Sequence, residues 1–121
     1  MYEASGIGET VRAKLPQPAG YRVLIATLKV NEKTEGGVYM PDKIKDAEDT
    51  ASILGLVLTV GPEAYRDPDR FPSGPYCKVG DFVIFRSYSG TRFKIGDQEF
   101  RLINDDTVEG VVDDPRGYKR A

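Results

Sequence analysis

The chain has 121 residues, 40% of them hydrophobic and 30% charged, with a net charge of −2. That is one domain's worth of sequence, with enough apolar side chain for a single core. Acidic and basic residues are interspersed without a basic stripe, which argues against a nucleic-acid partner, and the longest apolar run, residues 53–60, is far too short to cross a bilayer.

Residues 1–19 contain Gly6, Gly8, Pro16 and Pro18 and show no sustained period. Positions 1–17 read as an N-terminal extension that is flexible unless it docks on something. Glu3 and Glu9, with no apolar stretch between them, argue against a secretory or transit signal. Residues 21–30, rich in aliphatic and β-branched side chains, predict a long strand. Residues 31–52 break that pattern with many charges, Gly36-Gly37 and Pro41. Connections in compact domains rarely exceed about 12–15 residues unless they are functional or disordered, so this segment is the chain's oddest feature. A second strand is expected over 53–60, stopped by Gly61-Pro62. Residues 63–76 hold Pro68, Pro72, Gly74 and Pro75 and read as a surface excursion in which the prolines limit regular pairing.

Val79-Gly80-Asp81 is a turn leading into a third strand over 82–85, and residues 87–90 form another turn. A well-specified hairpin follows, with 91–95 and 98–103 flanking Gly96-Asp97. Glycine at the first position of a two-residue turn suits type II′, and that register sets Phe93 opposite Phe100. Residues 104–106 are a turn, 107–112 a last strand and 113–121 a polar tail. Short strands separated by turn signals, with no convincing amphipathic helix, predict an all-β barrel or sandwich.

The chain has no histidine, which removes Ser-His-Asp and Cys-His catalysis and every histidine-containing metal site. Cys77 is the lone cysteine, so no internal disulfide forms, and a reducing, cytoplasmic setting is expected. It reads as a small, partly buried apolar residue rather than a nucleophile. Asp105-Asp106 and Asp113-Asp114 lack the alternating oxygen spacing of a calcium loop and read as solvated turn carboxylates. Gly6-Ile7-Gly8 lacks the third glycine and preceding strand of a phosphate loop. No metal, no cofactor and no enzymatic activity are therefore expected.

Several segments in order carry a more specific signal. They are Arg22-Val23-Leu24-Ile25, then residues 32–42, then Gly55-Leu56-Val57-Leu58-Thr59-Val60-Gly61-Pro62, then residues 78–85, Tyr88-Ser89-Gly90-Thr91 and Asp106-Thr107-Val108. In this order and spacing they resemble the GroES co-chaperonin family, over roughly residues 18–112. The resemblance implies a small β-barrel with a mobile loop over 31–52 and a roof excursion over 63–76. It implies assembly into a homo-heptamer whose terminal strands pair between neighbours. Such a ring caps an ATP-bound, GroEL-type chaperonin and encloses an unfolded client. The family's chaperonin-binding loop carries a glycine pair and a hydrophobic triplet, which match Gly36, Gly37, Val38, Tyr39 and Met40. Tyr21, where an acidic residue is usual, the longer stretch after Met40 and the extended ends point to a divergent or virus-encoded member.

The residue chemistry suits that role. A loop that orders on binding gives up conformational entropy, so each contact is weak. A ring of loops compensates through effective concentration. Local pattern alone leaves a second reading equally open, in which Gly36-Gly37 is a hairpin turn and residues 38–40 a short buried strand. At the level of the whole chain, the alternatives are a barrel reused as a virion or scaffold component and a dehydrogenase-type catalytic domain. The chain is too short for the latter's dinucleotide-binding partner and lacks its glycine fingerprint.

Overall fold

The computed structural model describes residues 9–27, 52–96, 98–118 and 121. Within them are six strands: β1 Arg22–Thr27, β2 Leu54–Val60, β3 Phe82–Phe85, β4 Thr91–Ile95, β5 Gln98–Asn104 and β6 Val108–Val112. They form one antiparallel sheet in the order β4-β5-β1-β2-β3-β6. The all-β expectation holds.

One face of the sheet supplies Val23, Ile25, Val57, Val83, Phe85, Ile103 and Val108 to a single buried cluster, joined by Tyr65, Phe71 and Cys77. These residues come from five of the six strands, β5 through β6. A flat sheet cannot bring strands so far apart into mutual contact, so the sheet curls around this core in a barrel-like manner. The opposite face carries Leu24, Ala26, Leu56 and Phe100, with Phe93, Leu58 and Leu102 half-buried around them. Because both faces are apolar, β1 and β2 read in sequence as continuous runs rather than alternations.

The hairpin forms in the register that the turn demands. Ile95 pairs with Gln98 and Phe93 with Phe100, whose rings stack with centroids 5.6 Å apart. Gly96 has φ +62°, the left-handed value required at the first turn position. Gly55 has a different reason to be glycine. It pairs with Thr27 across β1 and β2, and a Cβ there would overlap the Ile25 side chain and lie 2.9 Å from the Ala26 carbonyl.

Several boundaries shift from the sequence expectation. Tyr21 lies in a turn and β1 starts at Arg22. Asn104 belongs to β5, where it pairs with Arg22, because the β1–β5 ladder outlasts the polar residues that suggested a turn. Thr107 closes a 3₁₀ turn over Asp105–Thr107 instead of opening β6. The N-terminal extension contains a short helix, α1 Glu9–Ala13. Val11 and Leu15 pack against the second apolar face, and Pro18 is fully buried. Burial of two aliphatic side chains explains why this polar stretch docks where it touches the sheet.

Candidate functional site

The residues singled out for binding, Gly36, Gly37, Val38, Tyr39 and Met40, lie outside the described residues, as does most of segment 31–52. Its flanks are described. β1 ends at Thr27, and the chain is described again from Ser52, next to the start of β2. The antiparallel pairing of Thr27 with Gly55 puts both flanks at one end of the sheet.

Strand β5 holds both of these flanks. The Thr27 hydroxyl donates to the Glu99 carbonyl at 3.1 Å, and the Gln98 amide donates back to the Thr27 carbonyl at 3.1 Å. On the other flank, Arg101 Nη1 approaches the Ser52 carbonyl at 3.4 Å, and the Phe85 N–H donates to the Ile53 carbonyl at 2.9 Å. Arg101 is fully buried, with its guanidinium 4.8 Å from the Phe85 ring centroid. Its Nε and Nη2 have no hydrogen-bond partner among the described residues. Burial lowers its pKa, nearby Arg92 lowers it further, and Glu99 opposes both.

Sequence reasoning missed Arg101. With Phe100 and Leu102 directed to one apolar face, a charged residue between them reads as solvent-facing. The signal that it points into a core is Ile103, two positions on, on the same face and also buried.

The excursion over 63–76 contains no strand among its described residues. It folds back on the barrel through aromatic side chains. Tyr65 and Phe71 are buried, with ring centroids 5.0 Å apart and nearly perpendicular, and the exposed Tyr76 meets Phe71 edge-on and Tyr65 at a tilt. The Tyr65 N–H donates to Asp105 Oδ2 at 3.0 Å. The Tyr65 hydroxyl and Cys77 Sγ are 3.4 Å apart within the core. Asp105 is therefore a correction to the solvated-carboxylate expectation. It is 1% exposed, with Arg70 at 3.6 Å, whereas Asp106 remains in solvent. The excursion needs a buried acceptor for its backbone, and the 3₁₀ turn delivers one.

Cys77 is buried, as expected of a small apolar residue. Burial raises its pKa against the opposing hydrogen bond from Tyr65, so the nucleophilic thiolate is disfavoured. Burial, followed by the contact with Cys77, also raises the Tyr65 phenol. Asp114 is exposed, and its pKa is pulled down to about 2 by hydrogen bonds from Arg116. Among the described residues no group of three or more carboxylate, cysteine or histidine side chains could hold a metal ion. No described helix is long and apolar enough to cross a membrane. Val79-Gly80-Asp81 is a structural turn, in which Asp81 Oδ2 accepts the Lys78 N–H at 3.0 Å and Gly80 N–H donates to the Val57 carbonyl at 2.9 Å.

Among the described residues, the outer strands β4 and β6 each have one neighbour in the sheet. β6 presents its other edge with Val111 exposed. An open edge of this kind is a template for pairing with another chain.

Comparison with known proteins agrees with this architecture. The family described as "Chaperonin 10 Kd subunit" matches residues 16–112. A protein named "Co-chaperonin GroES" from Kosmotoga olearia is 36% identical over 97 residues, covering 80% of this chain and 96% of the relative. One of the same name from Holospora obtusa is 33% identical over 96 residues, covering 79% and 95%. Another, from Solidesulfovibrio magneticus, is 31% identical over 97 residues, covering 80% and 96%. The chain belongs to the chaperonin 10 Kd subunit family.

Proposed function

We propose that this member of the chaperonin 10 Kd subunit family is a co-chaperonin that caps a GroEL-type chaperonin and closes its chamber during ATP-dependent folding of a client protein. The observation that carries this reading is the family match over residues 16–112, supported by relatives that bear the name co-chaperonin along nearly their whole length. The chain acts as a non-catalytic binding component in the cytoplasm, and ATP is bound and hydrolysed by the partner. It works as a homo-heptamer, and the outer edge of β6, which pairs with no strand among the described residues, supports ring closure by strand pairing between neighbours. Residues 18–112 form the working domain, with a roof excursion over 63–76 and a chaperonin-binding loop over 31–52.

Within that loop, Gly36 and Gly37 allow a tight backbone turn, and Val38, Tyr39 and Met40 form the docking triplet. This assignment rests on the sequence pattern. Its support from the fold is that both flanks of the segment emerge together at one end of the sheet.

The test is Val38→Asp and Met40→Asp. A carboxylate forced into an apolar groove costs several kcal/mol or more unless it stays wet or takes up a proton. Every subunit of a ring carries the change, so avidity collapses. The expected result is intact folding and assembly with loss of capping, read as chaperonin ATPase modulation and client refolding. Capping equal to the parent would refute the docking triplet. Unfolding of the barrel would instead make residues 38–40 a buried strand. Reuse of the barrel as a virion or scaffold component has no observation in its favour.

A further inference from the structure

We infer that β5 is a clamp that fixes the two roots of the 28–51 segment, with Arg101 as its positioning residue. The inference rests on the docking role proposed above for that segment, but its evidence is independent and lies entirely in described residues. At one root, Thr27 is held twice by β5, through its hydroxyl on the Glu99 carbonyl and its carbonyl on the Gln98 amide, both at 3.1 Å. At the other root, the Ser52 carbonyl faces Arg101 Nη1 at 3.4 Å. The guanidinium lies under this root on Phe85, whose own N–H holds the Ile53 carbonyl.

An arginine in this place is poorly explained by stability alone. It is fully buried at the end of an otherwise apolar cluster, and two of its nitrogens lack partners among the described residues. Taking a charge out of water without full pairing is costly, so an apolar side chain of similar volume in its place is expected to be neutral or stabilising. A leucine would continue the pattern of Ile25, Phe85 and Ile103 around it. What a leucine lacks is a donor that reaches the Ser52 carbonyl. Fixed roots limit the directions in which the segment between them can leave the sheet, which reduces the ordering cost on docking. Loop-closure entropy grows slowly with length, so the gain per loop is small. Summed over the loops of a ring, it is on the order of three- to tenfold in apparent Kd.

The experiment compares full-length Arg101→Leu, Arg101→Lys and Gln98→Ala with the parent. Hydrogen exchange of peptides covering 25–27 and 52–56, thermal melting and affinity for the ATP-bound chaperonin are read for each. Arg101→Leu is expected to keep or raise the melting temperature, speed exchange at the roots by about tenfold or more, and weaken capping three- to tenfold. Arg101→Lys, which keeps a donor for Ser52, should restore much of the root protection. Unchanged root exchange in Arg101→Leu overturns the clamp. If Arg101→Leu melts the barrel, Gln98→Ala carries the test, and unchanged exchange at 25–27 in that variant overturns the clamp equally. Val38→Asp serves as the control. If Val38→Asp abolishes capping while Arg101→Leu leaves it untouched, the clamp fails and the docking role stands. If Val38→Asp caps normally, the docking role fails, and the exchange data still decide whether β5 holds the roots.

Discussion

Three buried polar side chains decide local behaviour here: Arg101, Asp105 and the phenol of Tyr65. The Tyr65 hydroxyl and the Cys77 thiol share a contact inside the core, and burial raises the pKa of both. A group whose folded pKa exceeds its unfolded value contributes stability that is fully present below the unfolded pKa. That contribution is lost as pH rises toward the folded pKa. The ordinary values are 9.0 for the thiol and 10.0 for the phenol. The folded protein should therefore be flat in stability near neutral pH and weaken progressively above about pH 9. Urea midpoints between pH 7 and 11 test this. The double variant Cys77→Ala, Tyr65→Phe should show a shallower alkaline decline, and an unchanged decline would place its origin elsewhere.

At the scale of elements, the excursion over 63–76 shows how a proline-rich segment stays on a barrel without becoming a strand. Pro68, Pro72 and Pro75 remove backbone donors. Tyr65, Phe71 and Tyr76 then supply an aromatic cluster that packs on the core, and Asp105 accepts the Tyr65 N–H from the far end of the chain. Asp105→Ala leaves that buried N–H without its acceptor, while Arg70 keeps Asp106 at 3.0 Å. A loss of about 1–3 kcal/mol in folding stability is expected, with the fastest new hydrogen exchange in peptides covering 63–76. Exchange that rises evenly over all strands would show that Asp105 supports the barrel as a whole and not this excursion.

At the largest scale, the described strands of the sheet end at β4 and β6, and the exposed Val111 lies on β6. An edge strand that pairs with no described strand gains from closing against a second copy. Native mass spectrometry at micromolar concentration is expected to show a heptamer. Val111→Asp should shift the population to monomers with an unchanged circular dichroism spectrum, since this side chain is outside the core. Parent protein that runs only as monomer or dimer would contradict the ring, and a Val111→Asp heptamer would move the interface away from β6.

Local chemistry by itself determined the strands, the two-residue hairpin and its aromatic pair, because runs of aliphatic and β-branched side chains between turn residues and a left-handed glycine act over a few residues. Residue order and spacing likewise identified the family and, within the segment whose placement is not described, the residues proposed to dock. Only the tertiary structure decided that Arg101 and Asp105 are inside. A charged residue between Phe100 and Leu102, or in a turn of two aspartates, looks solvated when each face of a strand is judged alone. Curling closes one face of this sheet around a core that includes Phe85 beside Arg101, and that curl depends on side chains brought together from five strands. The docking of Val11 and Leu15 has the same origin, since two aliphatic residues in a polar extension acquire meaning only beside the apolar face that receives them.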